Sequence, residues 1–206
     1  MTFSLENQFK SYDIEFHGDC IKTIVTTHPK IIDQWVLETY NLHGSELHNL
    51  LVGLDTEWRL IENNSSKRKI VYQVALLQLC VHNRCLILQN SPCEFPRSLV
   101  DFLGNPHIRF VGVGVGQDAK MLRKDWHLCV ERAEDVGFVA AERYNDKMCK
   151  NMGLKDLAKK VLHKEMAKPT SVTTSNWDVP ELSFDQVEYA CIDAFVSFLL
   201  GMELIL

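Results

Sequence analysis

The sequence has no long apolar segment. A helix that crosses a bilayer needs roughly 20 consecutive apolar residues, and no stretch of the 206 residues approaches that length. The N-terminal MTFSLENQFK also lacks the apolar centre of a signal peptide. We therefore expect a soluble, intracellular protein of the nucleus or the cytoplasm, with no membrane partner.

Paired cysteine motifs are missing as well. The seven cysteines are irregularly spaced and include no Cys-x-x-Cys pair. Such a set matches neither a disulfide framework nor a zinc ribbon. His43 and His48 are not followed by a second ligand pair, which argues against structural zinc. We expect the cysteines to be reduced residues of the core.

Internal repeats and low-complexity tracts are also absent, whereas apolar residues are plentiful. Hydrophobic residues make up 46% of the chain and charged residues 24%, which suffices for one substantial core. We expect a single domain over residues 1–206. Its motif-bearing core would span about 50–200, and an N-terminal hairpin and helix over 10–44 would belong to the same domain.

Apolar periodicity predicts strands first and then alternating strands and helices. Tyr12, Ile14 and Phe16 alternate with polar neighbours. A turn at Gly18-Asp19 follows, so this region predicts a hairpin. The order of elements predicts an α/β fold with a mixed central sheet and helices on both faces. The predicted strands are Ile21–Thr27, Leu50–Thr56, Ile70–Cys80, Arg84–Leu88 and Ile108–Val115. The predicted helices are Pro29–Gly44, Pro96–Leu103, Gln117–Asp125, Gly153–His163 and Ser183–Leu204. The polar segment Glu62–Lys69 is predicted to be a surface loop.

Charge is distributed unevenly along the chain. The net charge of -5 argues mildly against an indiscriminate nucleic-acid binder. From Arg143 to Lys168, however, eight basic residues stand against three acidic ones. A basic face on an acidic protein is expected where a carboxylate cluster shares a surface with phosphates. For Lys155 and Lys159 an ordinary solvated helix face is the alternative.

An Asp-x-Glu pair ends the first long apolar strand. Asp55 and Glu57 are two residues apart, so both carboxylates point to the same face of a strand. Two neighbouring buried anions repel each other and are costly to desolvate unless a cation lies between them. Mg²⁺ and Mn²⁺ prefer such oxygen ligands. The pair predicts a divalent-metal site, with a solvated strand end as the alternative.

A glycine-rich strand precedes Asp118. A dinucleotide-binding loop would need glycine at the position of Gln117, so its spacing fails. An oxidoreductase remains a rival hypothesis, which nicotinamide-cofactor binding would test. The glycines instead allow a tight exit from a central strand and place Asp118 in the first turn of the next helix. A helix N-terminus favours a carboxylate, so a simple cap is the alternative.

The last predicted helix carries a tyrosine and an aspartate on one face. Tyr189 and Asp193 are four residues apart and therefore lie one above the other. The neighbours of Asp193 are mostly apolar, so its carboxylate needs a partner if it is buried. A metal ion shared with Asp55 would be one.

These motifs together resemble the 3′-5′ exonucleases of the DEDD superfamily, tyrosine subclass. They are similar in particular to the Werner-syndrome-type exonuclease domain, over about Leu50 to Leu200. The resemblance implies a ribonuclease-H-like (DnaQ-like) exonuclease fold. The stretches in family order are Asp55-Thr56-Glu57-Trp58, Val74–Cys80, Gly112-Val113-Gly114, Ser175-Asn176-Trp177, and Leu182-Ser183 leading to Gln186, Tyr189-Ala190 and Asp193-Ala194.

The resemblance also implies a reaction and a set of site residues. The implied activity is metal-dependent hydrolysis of terminal phosphodiester bonds of nucleic acid, which releases nucleoside 5′-monophosphates. The substrate would be a single strand or a recessed 3′ end, of DNA or RNA. Tyr189 would orient the attacking water. Two divalent ions, Mg²⁺ or Mn²⁺, would be held by Asp55, Glu57, Asp118 and Asp193. Apart from the resemblance, we expect substrate contacts from Trp58, Lys155 and Lys159.

Two departures from the family lie close to the motifs. Relatives often carry Arg or Lys just before Ser-Asn-Trp, where residues 170–174 here read TSVTT. Trp58 is followed by Arg59, where relatives usually have proline. Neither departure changes a carboxylate. Together with the acidic total they support a second hypothesis, a catalytically weak nucleic-acid-binding or assembly module. A homo-oligomer also stays open, although no apolar heptad indicates one.

Overall fold

A mixed β-sheet forms the centre of the molecule. The computed structural model describes residues 9–63, 69–89 and 94–206. Within them the sheet has seven strands: β1 (Phe9–Phe16), β2 (Asp19–Thr26), β3 (Leu51–Asn63), β4 (Lys69–Val81), β5 (Arg84–Gln89), β6 (Arg109–Gly112) and β7 (Ala133–Asp135). Their order is β1-β2-β5-β4-β3-β6-β7. Pairing is parallel between β2 and β5, β3 and β6, and β6 and β7, and antiparallel between the others.

Helices cover both faces of this sheet. They are α1 (Pro29–His43), α2 (Arg97–Leu103), α3 (Val115–Asp125), α4 (Val136–Arg143), α5 (Leu154–Leu157), α6 (Thr170–Thr173) and α7 (Phe184–Ile205). α1, α2 and α3 pack on one face, and α4, α5 and α7 on the other. The predicted α/β class is therefore confirmed. Among the described residues, no helix combines the length and the apolar character that a bilayer span needs.

β3 and β4 form a longer antiparallel arm than the sequence predicts. β3 continues past Thr56 to Asn63, and β4 begins at Lys69. The predicted loop Glu62–Lys69 is therefore wrong at both of its ends, while 64–68 lie outside the described residues. Polar side chains misled the prediction, because backbone hydrogen bonds hold a two-stranded ladder together whatever its side chains are.

The chain leaves β6 earlier than predicted. The strand ends at Gly112, short of the predicted Val115, and α3 already begins at Val115. Gly114 lies between them with φ 74 and caps the helix, in a left-handed conformation that glycine adopts without strain. The glycines therefore serve the strand-to-helix turn, as the sequence indicates. β7 and α4 are not predicted, because three and eight residues show too little periodicity.

α7 makes its closest approach to the sheet at Gly53. A Cβ atom at this position would lie 2.0 Å from the carbonyl oxygen of Ala194 and 2.7 Å from the backbone nitrogen of Phe198. A residue with a side chain would therefore push the helix off β3. The contact places the middle of α7 directly against the strand that carries Asp55.

Candidate functional site

Three carboxylates meet where α7 crosses β3. Asp55 and Glu57 of β3 and Asp193 of α7 each offer an oxygen, and these atoms lie within 4.8 Å of one another. Asp193 is 3% exposed, and the other two are partly buried. Anions this close in a buried position repel each other, so they need shared protons or a cation. We call these three residues the carboxylate cluster.

Asp118 lies beside the cluster, in the first turn of α3. It is 7% exposed, and its Oδ1 accepts a hydrogen bond of 2.6 Å from Thr56 Oγ1. Thr56 Oγ1 in turn accepts one of 2.7 Å from Trp58 Nε1. The structure thus brings three of the four predicted metal ligands together and orients the fourth through Thr56. The negative charge of Asp118 still acts on the cluster: after burial and the charges of Asp193 and Glu57, it also raises the pKa of Asp55.

Burial raises the pKa values of all four carboxyl groups. It raises the pKa of Glu57 to about 8, and the negative charge of Asp193 adds to the shift. It raises the pKa of Asp118 to about 6, against two hydrogen bonds that favour the charged form. The pKa values of Asp55 and Asp193 are raised for the same main reason. The fold therefore disfavours the ionised form of each of these four groups.

Lys168 reaches the cluster from the segment that precedes α6. Its Nζ donates a hydrogen bond of 2.8 Å to Asp193 Oδ2 and lies 5.3 Å from the centre of the Tyr189 ring. Its charge lowers the pKa of Asp193, against the effect of burial. The sequence shows Lys168 only as the end of a basic segment. No local motif marks it, because the fold, and not its spacing, brings it to the site.

Tyr189 lies one helical turn before Asp193 on α7. Its ring is partly buried and lies 6.0 Å from the ring of Trp177, between centres. Burial, and then the charges of Asp193 and Glu57, raise the pKa of its phenol well above the ordinary range. The hydroxyl therefore stays protonated, which suits it to donate a hydrogen bond and not to act as a base.

The Ser-Asn-Trp segment is tied to the N-terminus of α7. Ser183 and Gln186 form a capping box there. Gln186 Nε2 also donates hydrogen bonds to Ser175 Oγ (2.9 Å) and to the carbonyl oxygen of Asn176 (3.0 Å). These hydrogen bonds fix the Ser-Asn-Trp segment on α7 and thereby hold Trp177 against Tyr189.

The three predicted substrate contacts have different surroundings. Trp58 is partly buried and bonded to Thr56, as described above. Lys155 and Lys159 are exposed, and Lys159 forms an ion pair of 2.8 Å with Glu165. Lys155 also acts on Glu165 and lowers the pKa of its carboxyl group, after the larger effect of Lys159. Part of the basic segment is thus neutralised within the chain.

The raised pKa of Glu57 predicts how stability depends on pH without metal. A carboxyl group with a higher pKa in the folded state binds its proton more tightly there. Its stabilising contribution is present below the unfolded pKa and lost as pH rises through the folded one. For Glu57 this window runs from 4.5 to about 8. In EDTA, this effect should lower the Tm of the wild type by roughly 5–10 °C as the pH rises through this window. Glu57→Gln has no carboxyl group at this position, so its Tm should lack this part of the decrease.

Thermal unfolding across this pH range, in EDTA, measures the effect as the difference between wild type and variant. Other carboxyl groups then cancel out of the comparison. Glu142→Gln, at an exposed position on α4, is the matched control and should follow the wild type. Parallel curves for the wild type and Glu57→Gln would contradict the prediction.

Comparison with known proteins identifies relatives of one kind. Residues 24–204 match the family model described as 3′-5′ exonuclease. The chain is 35% identical over 162 residues to exonuclease 3′-5′ domain-containing protein 2 of Homo sapiens, a match covering 78% of this chain and 26% of the relative. It is 32% identical over 156 residues to the bifunctional 3′-5′ exonuclease/ATP-dependent helicase WRN of Mus musculus, covering 75% and 11%. The chain thus spans about a quarter or less of these relatives.

A solved structure shows a similar fold. The crystal structure of the EXD2 exonuclease domain soaked in Mg and GMP is 28% identical in sequence. The match covers 88% of this chain and 87% of that one, with a TM-score of 0.50. The expected fold, a mixed sheet of the exonuclease-domain type, is thereby confirmed.

Proposed function

The chain belongs to the 3′-5′ exonuclease family, and from this premise we propose that it removes nucleotides from the 3′ end of a nucleic acid as 5′-monophosphates. The carboxylate cluster carries the proposal, with three acidic oxygens within 4.8 Å of one another. Tyr189 stands one helical turn from the third acid. The substrate is a single strand or a recessed 3′ end.

The residues present fit divalent metal ions. The cluster offers carboxylate oxygens, which Mg²⁺ and Mn²⁺ prefer. Burial and the neighbouring carboxylates raise the pKa values of Asp55 and Glu57 although Lys168 is close by, so a bound divalent cation would offset this repulsion. Two ions would be held by Asp55, Glu57, Asp118 and Asp193. Bound ions of this kind supply an activated water and stabilise the charge on the leaving 3′ oxygen. The EXD2 domain, which has a similar fold, was soaked in Mg and GMP, a metal and a nucleoside monophosphate.

The chain's own residues orient the reactants in this proposal. Tyr189 donates its hydroxyl proton in a hydrogen bond to the attacking water and fixes the direction of attack. Lys168 places an ammonium group next to Asp193, where it can bind an oxygen of the scissile phosphate. Asp118 is held by Thr56, so its carboxylate keeps one orientation. Lys155 and Lys159 are exposed and would add positive charge for the strand, with Lys159 shared between the strand and Glu165.

Degradation of 5′-labelled strands tests the proposal. The substrates are a single strand and a recessed-end duplex, each as DNA and as RNA, with Mg²⁺, Mn²⁺ or EDTA. We expect a ladder that shortens from the 3′ end with metal and no cleavage in EDTA. Asp118→Ala should lower kcat by roughly a hundredfold or more, because the charge held by Thr56 is lost.

The same assay separates an enzyme from a binding module. Asp156→Ala, at an exposed position on α5, is the control and should cleave like the wild type. Suppose that the folded wild type binds strands but leaves no ladder with either metal. The chain would then be a nucleic-acid-binding or assembly module, and Asp118→Ala would keep or improve its affinity as like-charge repulsion falls.

A further inference from the structure

A glutamine lies buried in the sheet beside the carboxylate cluster. Gln78 is in β4 and is 0% exposed, and the other residues from 74 to 81 are buried and apolar. Neither its Nε2 nor its Oε1 has a hydrogen-bond partner in the part of the chain that the structure describes. A buried amide without partners is costly. Its presence therefore calls for a role that an apolar side chain could not fill.

The register of the sheet places Gln78 directly opposite Asp55. β3 and β4 are antiparallel, and these two residues are paired in them. Side chains of directly opposite residues lie on the same face of a sheet, with Cβ atoms about 4.5–5.5 Å apart. A glutamine amide at that separation can reach a carboxylate on the neighbouring strand. Because Asp55 meets Asp193 of α7, both side chains lie on the face that α7 covers.

The adjacent sheet residues on the same face offer the amide no comparable partner. Leu76 and Cys80 are two residues away along β4, and Ile87 is paired with Gln78 in β5. All three are buried. Of these, only the thiol of Cys80 can form hydrogen bonds, and it donates to a backbone carbonyl. Among these adjacent sheet residues, Asp55 is therefore the only strong acceptor.

We propose that Gln78 positions Asp55 for metal binding, by donating a hydrogen bond from its Nε2 to one carboxylate oxygen while the other oxygen binds the ion. A carboxylate has lone pairs for both contacts. Since Nε2 has no partner in the structure, the bond requires a rotation of one of the two side chains. The inference rests on the metal site of the proposed function and adds a residue that acts through a ligand without binding the ion itself.

A second proposed ligand has support of the same kind. Asp118 accepts a hydrogen bond of 2.6 Å from Thr56 Oγ1, a side chain that is 6% exposed. Hydrogen bonds of this type fix the orientation of a ligating carboxylate, and losing one commonly weakens metal binding by about 10–100-fold. Gln78 would do for Asp55 what Thr56 does for Asp118.

Gln78→Met removes the amide and keeps an unbranched side chain of similar length. Mn²⁺ binding is measured without nucleic acid, from the electron paramagnetic resonance signal of the free ion. We expect the Kd for Mn²⁺ to rise roughly tenfold. In EDTA the Tm should stay the same or rise, because a buried polar group without a partner is removed. Most exchanges of a buried residue lower the Tm, so the two results together indicate a positioning role.

The cleavage assay adds a separate readout. The Mn²⁺ concentration for half-maximal cleavage should rise by the same factor in Gln78→Met. The KM for a 5′-labelled strand at saturating Mn²⁺ should remain that of the wild type. A merely structural defect would not separate these two constants.

Gln89→Met is the matched control, the same exchange at another buried glutamine. Gln89 lies in the neighbouring strand β5 and is 6% exposed, but its Nε2 donates to the carbonyl oxygen of Val179. This exchange should lower the Tm in EDTA, because the carbonyl loses its donor, and leave the Kd for Mn²⁺ unchanged. Gln78→Leu provides a second apolar side chain at the tested position, so that the fit of methionine does not decide the result.

The outcomes separate this inference from the proposed activity. A wild type that binds Mn²⁺ but cleaves no strand would refute only the activity, and a higher Kd in both Gln78 variants would still support the positioning role. Wild-type affinity for Mn²⁺ in Gln78→Met and Gln78→Leu would overturn that role. An equal rise of the Kd in Gln89→Met would overturn it as well.

Discussion

Asp55→Asn should abolish cleavage and, without metal, make the protein more stable. Burial, and then the charges of Asp193 and Glu57, oppose the ionised form of Asp55 and raise its pKa. The neutral amide removes that repulsion at nearly constant shape, so the Tm in EDTA at pH 8 should rise by several degrees. The same change removes one of the proposed metal ligands, so kcat should fall by roughly a thousandfold or more.

Two measurements on the same samples check this pair of effects. The first is kcat on a 5′-labelled strand with Mg²⁺, and the second is thermal unfolding with and without Mg²⁺. Ligand that binds only the folded state raises its Tm, so Mg²⁺ should stabilise the wild type much more than Asp55→Asn. Asp156→Asn on α5 is the control and should match the wild type in both. If Asp55→Asn has a lower Tm than the wild type in EDTA, repulsion among the three carboxylates does not destabilise the metal-free protein, and the prediction is wrong.

Gly53→Ala should damage both the fold and the site, although alanine adds a single methyl group. That carbon would lie 2.0 Å from the carbonyl oxygen of Ala194 and 2.7 Å from the nitrogen of Phe198. Both are backbone atoms of α7, so no rotamer change relieves the clash and the helix has to move. We expect a loss of roughly 3 kcal/mol or more in the free energy of unfolding. Activity should also fall, because Asp193 would move away from Asp55.

Gly116→Ala provides the matched comparison. Gly116 lies in the first turn of α3, and a Cβ atom there would meet nothing within 4 Å. The exchange should be neutral or slightly stabilising, since alanine is the better helix former. Urea unfolding followed by circular dichroism, together with the cleavage assay, compares the two variants. A wild-type unfolding midpoint for Gly53→Ala would show that the contact between α7 and β3 can relax without cost.

The sequence predicts the parts of the site that depend on local spacing. Asp55 and Glu57 are two residues apart in β3, so they lie on the same side of the strand. Tyr189 and Asp193 are four residues apart in α7, so they lie on the same side of the helix, one turn from each other. The meeting of the two pairs depends on a long-range contact at Gly53, which has no local pattern. A metal ion shared by Asp55 and Asp193 is suggested by the need of a buried carboxylate for a partner, and the resemblance to a known family strengthens that link; spacing alone does not bring the Asp55–Glu57 pair and the Tyr189–Asp193 pair together.

Features that come from packing were harder to predict. Lys168 lies at the site because the chain between α5 and α7 returns to the carboxylate cluster. The number of basic residues in this segment does not indicate which of them reaches the site. The arm of β3 and β4 extends through polar residues, where apolar alternation carries no signal. Gln78 is a polar residue within an apolar stretch of β4, and it faces Asp55 because of the register between β3 and β4, which no local pattern predicts.

The carboxylate cluster also has a meaning for the newly made chain. Ribosomes add about 5–20 residues per second, and Asp193 follows Glu57 by about 136 residues. At these rates the third acid and the tyrosine are added roughly 7 to 27 seconds after the first two. Until α7 has docked on β3, the nascent polypeptide has half a site. The order of synthesis therefore makes the docking of α7 on β3 the step that completes the carboxylate cluster.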